Sequence, residues 1–474
     1  SAIDILNVSQ LEESAISPNA KQLAFIKSDA NWALNKVVQN IWLTDLGAEK
    51  PRQLTFDNSS KTRINWSPNG KFLSFVSQRM GLSKSSTFKG IYLLPLEGGE
   101  AQELTSHRAD IRSYQWSNDG KSIYFLASML LDPDIAIAKT EKNDIFAFEE
   151  TQSYQHIWKV NLSNRFTRQV THGNFHVLNF TLSKDSKRIA FNRASGDLPD
   201  DWHQSEVWIS DEFGGNQHQL TNNNYAEKNL AFSPDSQSLL FISDVNAEGR
   251  PYHDANLFVL SIASNAITLL AGDQLFEVEN AYWNKDGKDI FILANMGVHS
   301  EIWRIPFVLQ DKKNKAIQLT NGKHTIKYWR YDALANRHAF VLVSADNPGE
   351  FATLSPKSQK ILKFTQLHKH FRKEFRLPEQ KLIRWRASDD TYIEGLLSYP
   401  LNYKEGRSYP LVVHAHGGPA SSDQYGQFYW STYIPLVSAQ NYFYFSVNYR
   451  GSRGYGDEFM RDTVGQYFNK NHTD

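Results

Sequence analysis

The chain has 474 residues, more than one ordinary domain holds, and its 51 basic and 51 acidic side chains cancel at neutral pH. With no global field and no block of like charge, nucleic acid and anionic membrane surfaces are excluded as expected partners. Cysteine is absent, which removes disulfides and thiol chemistry and suits a periplasmic or a cytoplasmic setting equally.

The chain opens on Ser1-Ala2 without a methionine, as after removal of a leader in nature or in cloning. From Ser17 it repeats. A turn followed by a strand recurs as SPNAKQLAFIKS at Ser17, SPNGKFLSFVSQ at Ser67, SNDGKSIYFLAS at Ser117, SKDSKRIAFNRA at Ser183, SPDSQSLLFISD at Ser233 and NKDGKDIFILAN at Asn284. Successive starts differ by 50, 50, 66, 50 and 51 residues. A second element, out of phase with the first, runs from IWLTDL to Thr55, IYLLPL to Thr105, IWKVNL to Thr171, VWISDE to Thr221, LFVLSI to Ala271 and IWRIPF to Thr320. A worn seventh copy reads LANRHAFVLVS from Leu334 to Ser344 and FATLSPKSQKILKFT from Phe351 to Thr365. Apolar positions alternate with period two, which excludes helical and leucine-rich solenoids. About fifty strand-rich residues is the size of one four-stranded propeller blade. The expectation is a mainly β protein with a seven-bladed β-propeller over residues 1–366, whose repeat resembles the TolB-like and dipeptidyl peptidase propellers. The periodic Trp42, Trp158, Trp208 and Trp303 read as packing residues.

The single long interval places an insertion in the third repeat, between Met129 and Gln155. Insertions in repeat arrays lie on loops of one face, often the binding face. A polar, basic hinge, Leu367 to Gln380, follows the repeats, and after it the pattern changes. Lys381 to Ser388 and Thr391 to Pro400 read as two strands across an Asp389-Asp390 turn. Leu411 to His416 is a short apolar run of the kind buried in a parallel sheet, and it stops at Gly417-Gly418-Pro419. Gln427 to Gln440 suits a crossover helix with Pro435 delaying or kinking its first turn. Tyr442 to Asn448 is a further strand, closed by Arg450-Gly451-Ser452-Arg453-Gly454-Tyr455-Gly456, and Asp457 to Phe468 reads as the next helix. The His414/His416 and His368/His370 pairs lack a nearby third ligand in the sequence, so no metal and no cofactor is expected.

A glycine pair directly after a strand leaves backbone N–H groups uncovered, and such donors can hold the oxyanion of an acyl-transfer intermediate. HGGP followed some thirty residues later by NYRGSRGYG resembles the catalytic domain of the prolyl oligopeptidase family of serine peptidases, in its dipeptidyl and acylaminoacyl branches. The resemblance implies that residues 381–474 form the first four strands of an α/β-hydrolase domain, with His416, Gly417 and Gly418 at the oxyanion hole. It also implies that a propeller glutamate pair holds the substrate's free amino terminus. Glu149-Glu150 is the only such pair inside the insertion. Members are often oligomers, so a homo-oligomer is allowed.

No serine sits in a Gly-x-Ser-x-Gly frame, and Gly451-Ser452-Arg453-Gly454 is one residue short of it. By the resemblance, the nucleophile, acid and base all lie beyond Asp474, and none of the catalytic residues is in this chain. The chain alone is expected to be inactive, with a missing half of the domain as its partner and a peptide as its substrate. Three functions fit: a serine peptidase for short peptides with the propeller gating access, an esterase or acylaminoacyl hydrolase of the same fold, or a non-catalytic propeller that binds proteins. A Gly-x-Ser-x-Gly after Asp474 would separate the first two from the third.

Overall fold

The computed structural model describes residues 1–474 apart from 47–49, 80–87, 106, 130–136, 138–140, 144–152, 197, 308–314, 355–359, 419, 427–432 and 467–468. The recurring serine builds the recurring turn. The hydroxyls of Ser17, Ser67, Ser117, Ser183 and Ser233 each accept the backbone N–H five residues on, at 2.9–3.0 Å. Asn284 does the same through its amide oxygen, at 3.1 Å. Two residues further, Asn19, Asn69, Asp119, Asp185, Asp235 and Asp286 each accept a backbone N–H two positions later. These short polar side chains satisfy turn amides that no strand reaches.

The closing threonine of the second element has an equally regular task. Thr55, Thr105, Thr171, Thr221, Thr320 and Thr365 accept the N–H of Ile41, Ile91, Ile157, Val207, Ile302 and Phe351 at 2.8–3.0 Å. Each bond ties the outer strand of a sheet back to its third strand.

Seven four-stranded antiparallel sheets result, spanning 10–53, 61–103, 111–169, 176–219, 228–270, 277–318 and 325–363, with strands in sequence order within each. The opening strands of the first and second sheets, and of the third through sixth, pack together in turn, and the opening strand of the first sheet packs against the seventh, so the array closes on itself. Every one of these seven opening strands carries a register shift against its partner. The shifts give the inner strands the extra bend and twist that close approach around one axis demands.

Closure rests on apolar contact between the two ends of the repeat. Leu11, Ile16, Leu23 and Phe25 of the first sheet form one cluster with Ala339, Val341, Val343 and Phe351 of the seventh. Phe25 and Phe351 are fully buried, with ring centroids 4.9 Å apart. His368 adds polar stitching, with Nδ1 2.7 Å from the Gly349 carbonyl and Nε2 3.0 Å from that of Ser9. A Phe351→Ala variant is expected to lose about 3–5 kcal/mol in denaturant unfolding, because the cavity opens at the one junction with no covalent continuity.

The eighth sheet is mixed. Its order is Gln380–Arg386, Tyr392–Ser398, Phe443–Asn448, Leu411–Ala415; only the last pair is parallel. Tyr433–Ala439 is the helical part of the crossover among the described residues, and it contains Pro435. Leu411–Ala415 is of the apolar kind buried in a parallel sheet but stands at the sheet's edge, with Leu411 and Val413 52% and 62% exposed. The sequence-based reading is corrected at one place. The helix after Tyr455 is only Asp457–Arg461. The Asp462 carboxylate bonds Arg450 and Lys470, and Gly465 adopts φ +72°. No helix among the described residues is long and apolar enough to cross a membrane.

Candidate functional site

His416 ends the edge strand and fixes the turn after it. Its ring is buried and stacks on Tyr449 at 4.7 Å between centroids. Nε2 lies 2.9 Å from Ser452 Oγ, and the Tyr449 hydroxyl donates to the His416 carbonyl at 2.6 Å. Burial pushes the imidazole pKa down, so it is a neutral positioning group rather than a proton carrier at pH 7. Gly417 and Gly418 beyond it are exposed. Gly418 has φ +140°, and a Cβ there would lie 2.6 Å from the Ala420 nitrogen, so only glycine fits. The turn is an exposed backbone segment on a clamped base; backbone N–H donors are the groups an oxyanion site uses.

Ser452, in the near-miss of the nucleophile frame, is fully buried and donates to the Tyr449 carbonyl at 2.6 Å. It is a structural serine. Behind it Arg450, 1% exposed, gathers three carboxylates: Nη1 is 2.5 Å from Asp389 and 3.0 Å from Asp462, and Nε is 2.7 Å from Asp474. The guanidinium bond holds the Asp389 carboxyl at about 2, below its ordinary value. Arg450 thereby joins the Asp389-Asp390 turn, the loop after the fourth strand and the last residue.

The rest of that loop faces the repeat sheets. Arg453 pairs with Glu277 and, at 3.5 Å, with Asp244. The buried Asp254 carboxylate accepts from the N–H groups of Gly454 at 3.3 Å and Gly456 at 3.1 Å. Asp457 approaches His253 Nδ1 at 2.8 Å. Ser422 and Gln424 bond Asn295, the Tyr425 N–H donates to the Val298 carbonyl at 2.8 Å, and Val298, Leu396 and Tyr425 form a small apolar cluster. Thr325 Oγ1 donates to the Tyr425 carbonyl at 2.7 Å, so the seam docks the mixed sheet on the fifth to seventh repeat sheets, within a few residues of the glycine turn.

His416, Gly417 and Gly418 are together at the end of the edge strand. Glu149 and Glu150 lie outside the described residues. The seam residues Asp254, Glu277 and Asn295 escape sequence reasoning, since their repeat positions carry other residue types elsewhere; the surplus of polar groups in NYRGSRGYG is the one sequence signal of a docking loop.

No family model matches the chain. It is similar to dipeptidyl-peptidase 5 of Porphyromonas gingivalis, 24% identical over 306 residues, which are 63% of this chain and 43% of that protein. A probable dipeptidyl-peptidase 5 of Emericella nidulans is 25% identical over 300 residues, covering 59% and 40% of the two chains. Among solved structures, the acylaminoacyl peptidase of Pyrococcus horikoshii superposes with a TM-score of 0.77 at 16% identity, over 100% of this chain and 70% of that one. A puromycin-hydrolyzing peptidase of Mycobacterium tuberculosis superposes at 0.70 and 13% identity, over 98% and 70%. The repeat sheets have the fold of the propeller part of these structures, and the chain spans less than half the length of the two curated relatives. The chain is a homologue of prolyl oligopeptidase family peptidases, its relatives falling in the dipeptidyl and acylaminoacyl groups.

Proposed function

We propose that these 474 residues are the seven-bladed propeller and the first half of the α/β-hydrolase domain of a serine peptidase acting on short peptides. The carrying observation is the exposed Gly417-Gly418 turn at the end of a parallel edge strand, clamped by His416, Tyr449 and Ser452. In this reading the turn donates to the developing oxyanion, and the serine, histidine and acid come from residues outside these 474. Further strands of the same sheet would add at the free edge of Leu411–Ala415, whose exposed Leu411 and Val413 they would cover. The propeller walls the site and admits only short peptides, with Glu149 and Glu150 assigned to the substrate's amino terminus. One superposable acylaminoacyl peptidase structure holds the peptide-like inhibitor Z-Gly-Gly-Phe-chloromethyl ketone, which supports a peptide as the substrate class.

The test is steady-state kinetics of the whole protein on chromogenic peptides, with Gly418→Ala. Displacing one oxyanion donor is expected to lower kcat about 10²–10³-fold with little change in KM. A variant with parental kcat would remove the turn from the chemistry.

A further inference from the structure

The seam between the repeat sheets and the mixed sheet is held by a carboxylate that water does not reach. Asp254 is 1% exposed; its carboxylate accepts from the neutral backbone N–H groups of Gly454 and Gly456, and its own N–H donates to the Asp457 carboxylate at 3.1 Å. Its surroundings are charged, but the cation is committed elsewhere. Glu277, from the opening strand of the sixth sheet, and Asp244, from the fifth, both hold Arg453, and Asp244 also holds Lys228 at 2.9 Å. On the other side His253 and Arg461 meet each other, and His253 meets Asp457. Asp254 therefore has glycine amides as its direct partners in the loop, while Glu277 and Arg453 act on it as opposed charges, the carboxylate more strongly.

We infer that the seam is a proton-coupled latch: the mixed sheet closes on the propeller with Asp254 protonated, and loss of that proton loosens the Gly454–Gly456 loop. The inference holds whatever the protein's activity, and does not rest on the peptidase reading. Burial and the Glu277 charge push Asp254 up to about 7 in the closed state. A carboxyl freed to water returns to its ordinary value near 4. Closing therefore takes up a proton between these limits, so opening is favoured as pH rises from about 4 to about 7 and levels off above.

Hydrogen–deuterium exchange of the 449–457 segment, read by mass spectrometry and corrected for the intrinsic pH dependence of exchange, reports opening without any assay of activity. Protection is expected to fall by up to about tenfold per pH unit between pH 5 and 7 and to be flat above about 7.5. In Asp254→Asn it should be flat throughout. Should that variant not fold, Glu277→Gln takes its place: removing the neighbouring charge should move the levelling-off to lower pH. Protection independent of pH in the parent protein overturns the inference, and so does a slope that survives Asp254→Asn.

Discussion

Replacing Arg450 by alanine is expected to lower the stability of the mixed sheet by about 3–5 kcal/mol, the range found when one partner of a buried ion pair is removed. The reason is the state it leaves behind. The Asp474 side chain is 1% exposed and would lose the guanidinium that pairs with it, while Asp389 and Asp462 would lose the group that draws them together. Arg450→Lys should recover only part of the loss, since one ammonium cannot reproduce a planar fork that meets three carboxylates at once. Acid should mimic the substitution. Asp389 has its pKa lowered in the folded state, so its contribution is full above about pH 4 and is lost as pH falls through about 2. Denaturant unfolding followed by fluorescence, at pH 7 and again near pH 3, measures both effects.

The second large effect is expected at Gly454. Its φ is +84°, and a Cβ there would stand 2.4 Å from the Gly297 nitrogen and 2.8 Å from the Asn295 carbonyl oxygen. Both obstacles are backbone of the sixth repeat sheet and cannot swing aside as a side chain would. Gly454→Ala therefore combines strain with overpacking, about 3 kcal/mol in sum, or roughly a hundredfold in the population of the undocked state. The fold of each part should survive, since the clash lies between them. Limited proteolysis in the Leu367 to Gln380 hinge should accelerate by a similar factor, with circular dichroism of the repeat sheets unchanged. Equal cleavage rates in parent and variant would show that the loop is not the docking element.

The architecture was legible where one residue type meets one local need. Ser17 and its successors, and Thr55 and its successors, recur because each copy must satisfy the same turn or strand amide. The strand at Leu411 was legible as a strand and as an open edge, because its apolar run reports surroundings that the described residues do not supply on that side. The extra residue in each opening strand left no mark in the period, since it falls on Arg63 in one copy and Glu279 in another. HGG was legible as a turn at a strand end, whereas its clamp by Tyr449 and Ser452 depends on pairing between parallel strands that spacing alone does not reveal. Asp254 was invisible for the same reason: its partners lie about two hundred residues away, in a loop whose glycines read as turn residues.

The central claim is that this chain carries the oxyanion turn of a peptidase whose nucleophile lies outside it. A fluorophosphonate serine-hydrolase probe, applied to protein isolated from its source and followed by intact-mass analysis and peptide mapping, tests this most directly. The account predicts a labelled species heavier than 54.3 kDa, or a second labelled fragment, with the adduct on a serine outside residues 1–474. A single 54.3 kDa species that takes no label would contradict it and favour a propeller that binds without catalysis.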